Sequence, residues 1–157
     1  MYMTTLAEIQ KAEMDGTKPT FIINGLHGPT GVTVDFSSSR LYWVCFSSNE
    51  IWSATLGGQD RHTVHILSGN PYGIVTYNNN IYWGNYWNKS LQSSAKNGSR
   101  VRTLYVGSDS INHMTLVPSF QQPITGRVNH CKSVLFCDFC VLTSTDHSCL
   151  HQISYEE

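Results

Sequence analysis

A chain of 157 residues, 40% hydrophobic and 13% charged, is long enough to bury one ordinary core and too apolar to stay disordered. Ten Lys and Arg against eleven Asp and Glu leave a formal net charge of -1. That balance supplies neither the basic field that attracts phosphate backbones nor an acidic tail, so nucleic acid is a poor partner.

With eight Tyr and four Trp among plentiful Ser, Thr, Asn and Gly, the composition favours strands and turns. Helical surfaces are richer in Glu, Lys and Ala. No run of about 18 apolar residues is present to span a membrane. The opening MYMTTLAEIQKAEMDG carries Glu and Asp where a secretory leader has a basic segment and then an apolar one, so no leader is expected there.

In chain order, short β-type segments fall near 9–14, 19–23, 31–35, 40–45, 50–55, 62–67, 72–76, 80–85, 90–95, 101–106 and 111–116, each bounded by turn residues. They repeat. Leu41-Tyr42-Trp43 returns forty positions later as Ile81-Tyr82-Trp83. Eight residues after each Trp comes an apolar residue, Ile51 and then Leu91, and Ile9 fits the same slot earlier. Gly turns follow at Asp15-Gly16, Gly57-Gly58 and Asn97-Gly98, while Pro29-Thr30-Gly31-Val32 is matched by Pro71-Tyr72-Gly73-Ile74. A weaker third copy of that lead-in begins at Ile111. Four short strands per period of about 40 residues describe a propeller blade, with the Tyr-Trp strand in the core and the Gly turns supplying positive φ. Tyr2-Met3-Thr4-Thr5 has the form of a decayed copy but lies two residues too close to Ile9 for the spacing.

Beyond the repeats, Cys131, Cys137, Cys140 and Cys149 are spaced C-x5-C-x2-C-x8-C, near His130, His147 and His151. Disulfides, a zinc site and free thiols all fit that pattern. Zinc ribbons usually carry two C-x-x-C pairs, and redox C-x-x-C motifs open a helix in a βαβ unit. Cys45 lies in an apolar strand, the ordinary place for a buried thiol. Two sequons, Asn88-Lys89-Ser90 and Asn97-Gly98-Ser99, sit in expected turns, where glycosylation would need them. The carboxylates are scattered, and His62 and His65 form no convergent set with Asp60 and Arg61, so no catalytic residue, metal site or cofactor is assigned.

The repeat resembles the YWTD, or low-density lipoprotein receptor class B, repeat of six-bladed propellers. Ile9-Gln10-Lys11-Ala12-Glu13-Met14-Asp15-Gly16 is similar to its Ile-x-x-Ala-x-Leu-Asp-Gly segment, and Gly31-Val32-Thr33-Val34-Asp35 to its lead-in. Gln122-Pro123 and Asn129-His130-Cys131 resemble the hand-over to an epidermal-growth-factor-like module. The resemblance implies an all-β chain: about two to three four-stranded blades of a six-bladed propeller over 1–123, and a degenerate, truncated growth-factor-like module over 124–157.

It also implies disulfides Cys131–Cys140 and Cys137–Cys149 and repeat-defining core positions Tyr42, Trp43, Tyr82, Trp83, Gly31, Gly73, Asp35, Gly16, Gly58 and Gly98. The implied function is that of a non-catalytic extracellular or cell-surface module of a larger membrane receptor, binding protein ligands of the lipoprotein or growth-factor type. Trp52, Tyr86 and Trp87 are the candidate contacts, set against ordinary packing between blades. Neither Tyr42-Trp43-Val44-Cys45 nor Tyr82-Trp83-Gly84-Asn85 keeps the Thr-Asp half with which the family ties blades together, so the resemblance does not carry those ties over to this chain. A zinc or redox protein built on 131–149, or a fragment of a propeller hydrolase, is the alternative.

Overall fold

The computed structural model describes residues 1–116, 139–143 and 147–150, and among these every regular element is a strand. Four antiparallel sheets follow one another along the chain. The first holds β1 (Tyr2–Thr4), β2 (Ile9–Lys11) and β3 (Thr20–Ile23). The second is a complete blade of β4 (Pro29–Asp35), β5 (Arg40–Cys45), β6 (Glu50–Thr55) and β7 (His62–Ile66). The third repeats it with β8 (Pro71–Tyr77), β9 (Asn80–Asn85), β10 (Ser90–Ala95) and β11 (Arg102–Val106). The fourth joins β12 (Ile111–Leu116) to β13 (Phe139–Thr143) and β14 (His147–Leu150). The 123/124 boundary therefore falls between two strands of one sheet.

The repeat read from sequence is a repeat of register. Tyr42 pairs with Ser53, and Tyr82 pairs with Ser93, in the same place of each sheet. Tyr2 pairs with Lys11 at that position too, with Thr4 opposite Ile9 where Val44 stands opposite Ile51. The N-terminal segment is thus a copy of the Tyr-Trp strand, with Met3 in the Trp slot. Its turn is two residues shorter, which accounts for the irregular spacing.

Backbone conformation repeats in step: Gly16, Gly58 and Gly98 have φ of 83, 84 and 82°, and Lys18, Asp60 and Arg100 have φ of 52, 50 and 58°. These turns need glycine for a second reason as well. A Cβ on Gly58 would lie 2.5 Å from the Ile22 carbonyl oxygen in the preceding sheet, and one on Gly98 would come equally near the Val64 carbonyl oxygen. The Gly58 and Gly98 turns therefore pack directly on the outermost strand of the preceding sheet.

Successive side chains on a strand point to opposite faces, so the Tyr-Trp strand serves two cores at once. Leu41, Trp43 and Ala54 join Ile9 and Ile23 of the first sheet and Leu26 of the connection that follows it. Tyr42, Val44 and Ile51 join Ile74, Ile81, Trp83 and Leu91 of the next blade, with Ile111 and Met114 of β12. Trp43 and Trp83 are both fully buried. The inner strands β4, β8 and β12 lie side by side. They approach so closely that a Cβ on Gly31 would stand 2.8 Å from the Tyr72 carbonyl oxygen and 3.3 Å from the Gly73 Cα.

Polar ties between blades, which the departure from the motif's Thr-Asp half left open, are present through other residues. Lys96 of the second complete blade pairs with Asp35 of the first at 2.5 Å, both side chains largely buried, and also donates to the Ser37 hydroxyl at 3.3 Å. Thr30 donates to the Pro71 carbonyl oxygen at 3.3 Å, and Tyr2 reaches the Leu56 carbonyl oxygen at 3.0 Å. Burial alone would raise the Asp35 pKa, but the Lys96 ammonium and the Ser37 and Ser38 hydroxyls outweigh it and lower it to about 2 from 3.8.

Two outcomes follow from this geometry. The depressed Asp35 pKa represents about 2 kcal/mol of folded-state stabilisation, present above pH ~4 and lost as pH falls through about 2. Lys96 is the strongest of the groups that lower this pKa, so Lys96→Met should remove a large part of that stabilisation at neutral pH in urea unfolding, with the gap to the parent closing as pH falls toward 2. Gly98→Ala, strained in φ and blocked by backbone, should lose more than about 2 kcal/mol, whereas Gly25→Ala, with φ of 70° but nothing within 4 Å, should lose only about 1. Equal losses for the two glycines would contradict the close packing of the turns.

Candidate functional site

At the end of the blades where β5 and β9 run out, the chain turns into the connections that lead to β6 and β10. The first residue of each turn is aromatic, Phe46 after β5 and Tyr86 after β9, each three positions beyond its Trp. Equivalent main-chain bonds fix both, Phe46 N–H to the Gly28 carbonyl oxygen at 2.8 Å and Tyr86 N–H to that of Asn70 at 3.0 Å. Asn70 secures the connection between the blades, its side-chain amide donating to the Phe46 carbonyl oxygen at 3.1 Å and its backbone N–H to the Asn49 side chain at 2.8 Å.

Four rings consequently form a continuous group across two blades. Phe46 meets Tyr72 edge-on at 6.0 Å between centroids and Tyr86 at 6.1 Å. Tyr72 and Tyr86 lie 6.2 Å apart, and Tyr86 meets Trp87 edge-on at 5.2 Å. Edge-to-face pairs contribute roughly 0.5–1.5 kcal/mol each beyond area burial, so these rings hold one another in place. Trp87 is nevertheless 66% exposed and Tyr72 37% exposed. The result is a pre-ordered aromatic surface whose tyrosines carry hydroxyls able to bond a partner.

Of the three candidate contacts read from sequence, the structure brings Tyr86 and Trp87 together and places Trp52 elsewhere. Trp52 stacks on Trp43 at 6.3 Å with 11° between planes, donates its indole N–H to Glu50 at 3.0 Å, and is covered by the Arg61 guanidinium 4.5 Å from its ring centre. Phe46 and Tyr72 were not among the expected contacts. Phe46 occupies the slot of Tyr86 forty residues earlier, a signal the repeat already contained. Tyr72 corresponds to Thr30, so nothing in the repeat marks it.

The other sequence-derived positions distribute as follows. Tyr42, Trp43, Tyr82 and Trp83 are buried between sheets, Gly31, Gly58, Gly98 and Asp35 hold the inter-blade contacts above, and Gly16 forms the equivalent turn within the first sheet. Gly73 faces Gly31 across the inner strands. Asn88 and Asn97 are exposed in turns. Arg40 binds Asp60 at 2.7 Å and approaches His62 at 3.3 Å, an exposed network set apart from the aromatic surface. Its hydrogen bond and charge hold the Asp60 carboxyl below the usual range. Cys45 is buried, and burial pushes its thiol pKa up, which suppresses thiolate chemistry. Cys131 and Cys137 lie outside the described residues, while Cys140 and Cys149 are direct register partners on β13 and β14. Among the described residues no group of three His, Cys, Asp or Glu converges as metal ligands.

No family model matches the chain. It is 31% identical over 99 residues to human low-density lipoprotein receptor-related protein 5, covering 63% of this chain and 6% of that protein. It is 34% identical over 94 residues to the vitellogenin receptor of Solenopsis invicta, covering 59% of this chain and 5% of that one. Among solved structures, a nidogen/laminin complex superposes with a TM-score of 0.68 at 23% identity, over 87% of this chain and 49% of that chain. A luciferin-regenerating enzyme superposes at 0.60 with 10% identity, over 71% of this chain and 41% of that chain, a likeness of fold alone.

Stacked four-stranded sheets with a Tyr-Trp strand at one register define a partial β-propeller of the YWTD type. Over that region the chain is similar in sequence to low-density lipoprotein receptor-related proteins and to vitellogenin receptors. It spans roughly a twentieth of the length of these curated relatives.

Proposed function

We propose that the chain is an extracellular, non-catalytic ligand-binding module of a longer cell-surface receptor, and that it takes protein ligands on the face formed by Phe46, Tyr72, Tyr86 and Trp87. The observation that carries this reading is the exposure of a mutually braced aromatic group. Large amphipathic rings that are ordered before binding lose little entropy on contact and are enriched where interface energy concentrates. Receptors among the relatives support the same reading. In this account residues 124–157 form the growth-factor-like module that braces or spaces the propeller, with disulfides Cys131–Cys140 and Cys137–Cys149.

Vitellogenin is the natural first probe, given what one relative's name says it receives. Binding of the purified chain to immobilised vitellogenin should weaken at least tenfold in Trp87→Ala and in Tyr72→Ala, while the ring contacts each loses lower the unfolding midpoint by only a few degrees and leave both variants folded at the binding temperature. Trp52→Phe, away from that face, should bind as the parent does. Undiminished binding by the Trp87 and Tyr72 variants would refute the assignment of the face.

A further inference from the structure

The two sequons are equivalent as triplets and differ in the fold. Asn97 opens the Gly turn between β10 and β11. Its Oδ1 accepts the backbone N–H of Ser99 at 3.0 Å and the Ser99 hydroxyl at 2.7 Å. Every turn-forming bond of the side chain thus runs through the oxygen. The same turn in the first sheet is held by Asp15, whose Oδ1 accepts from the Thr17 N–H at 2.9 Å and hydroxyl at 2.7 Å. A carboxylate does this work with one oxygen, so the second terminal atom is not needed for the turn. In Asn97 that second atom is Nδ2, on an exposed residue.

Asn88 has the opposite arrangement. Its Nδ2 donates to the Ser68 carbonyl oxygen at 3.0 Å and packs against Gly69, where even a Cβ would stand 2.5 Å from it. Any group attached to that nitrogen meets the 68–70 connection, and it would also stand beside Trp87 on the aromatic face.

We infer that Asn97 is the N-glycosylation site of this chain and that Asn88 stays unmodified, which leaves the aromatic face uncovered. The inference rests on the extracellular reading for its setting. The donor is a lipid-linked diphosphate oligosaccharide. Nδ2 of Asn97 attacks the anomeric carbon, the new C–N bond replaces the C–O bond to phosphate, the amide loses one proton, and the lipid diphosphate departs. The bonds of Ser99 run to Oδ1, an atom the transfer leaves in place, so the product can keep the same turn.

The test is to express the full chain behind an added secretory leader in a eukaryotic host and to map the peptides after amidase deglycosylation in ¹⁸O water. The isotope marks enzymatic release and separates it from spontaneous deamidation at Asn97-Gly98. One glycan is expected, located at Asn97, lost in Asn97→Gln and Ser99→Ala, and unchanged in Asn88→Gln. A glycan at Asn88, or an unmodified Asn97 in the secreted chain, would overturn the inference. Because the leader enforces entry to the pathway, neither result bears on whether the aromatic face binds ligands, which the vitellogenin measurement decides separately.

Discussion

A β-sheet with apolar side chains on both faces cannot be stable by itself, and in this chain that constraint governs the rest. Leu41 and Trp43 point one way and Tyr42 and Val44 the other, all buried, so the strand they share needs a sheet on each side. The requirement passes from blade to blade: the first sheet covers Trp43, and β5 with β6 in turn covers Trp83. Burial of side chains this large supplies several kilocalories per mole at each interface, on the order of 3–5 per Trp. Glycine sets how near the sheets come, since Gly31, Gly58 and Gly98 all meet backbone where a methyl group would stand.

The same stacking explains how the repeat tolerates the loss of its motif's polar half. Where the family places Thr and Asp, the sequence has Val44-Cys45 and Gly84-Asn85, and each replacement answers to packing. Gly84 admits Ile111 of β12, while Asn85 turns inward to Ser90 and Gln92 at 3.0 and 2.9 Å. The inter-blade charge moves to Asp35 and Lys96 at the other end of the strands. The aromatic face forms at the opposite ends of β5 and β9 from that pair. The register that buries Tyr and Trp also delivers the third residue beyond each Trp to this end, so core and candidate binding surface are consequences of one alignment.

Most of the fold was legible because its signals are local and periodic. All eleven strands expected between residues 9 and 116 are present within a residue or two, except that β2 stops at Lys11, since strand alternation and Gly turns depend on neighbours close in sequence. The Tyr2–Thr4 strand was ambiguous only because a turn two residues shorter breaks the spacing while preserving the register. The pairing of β12 with β13 could not be read, because it joins segments more than twenty residues apart through backbone bonds that no side-chain pattern announces. The site was half legible. Trp87 and Tyr86 follow the motif visibly, Phe46 was available by analogy and overlooked, and Trp52 looked exposed because the Arg61 and Glu50 that cover it come from other positions of the sheet.

Blade-to-blade contact at the inner strands is the direct test of the central claim. Proton–proton Overhauser contacts in the isotope-labelled chain should connect the Gly31 and Gly73 α-protons, alongside contacts within the blade between Thr33 and Tyr42, which are register partners. Both sets together would establish sheets stacked through their Tyr-Trp faces. Thr33–Tyr42 contacts without any between Gly31 and Gly73 would mean that the sheets form but do not stack, and the account would be wrong.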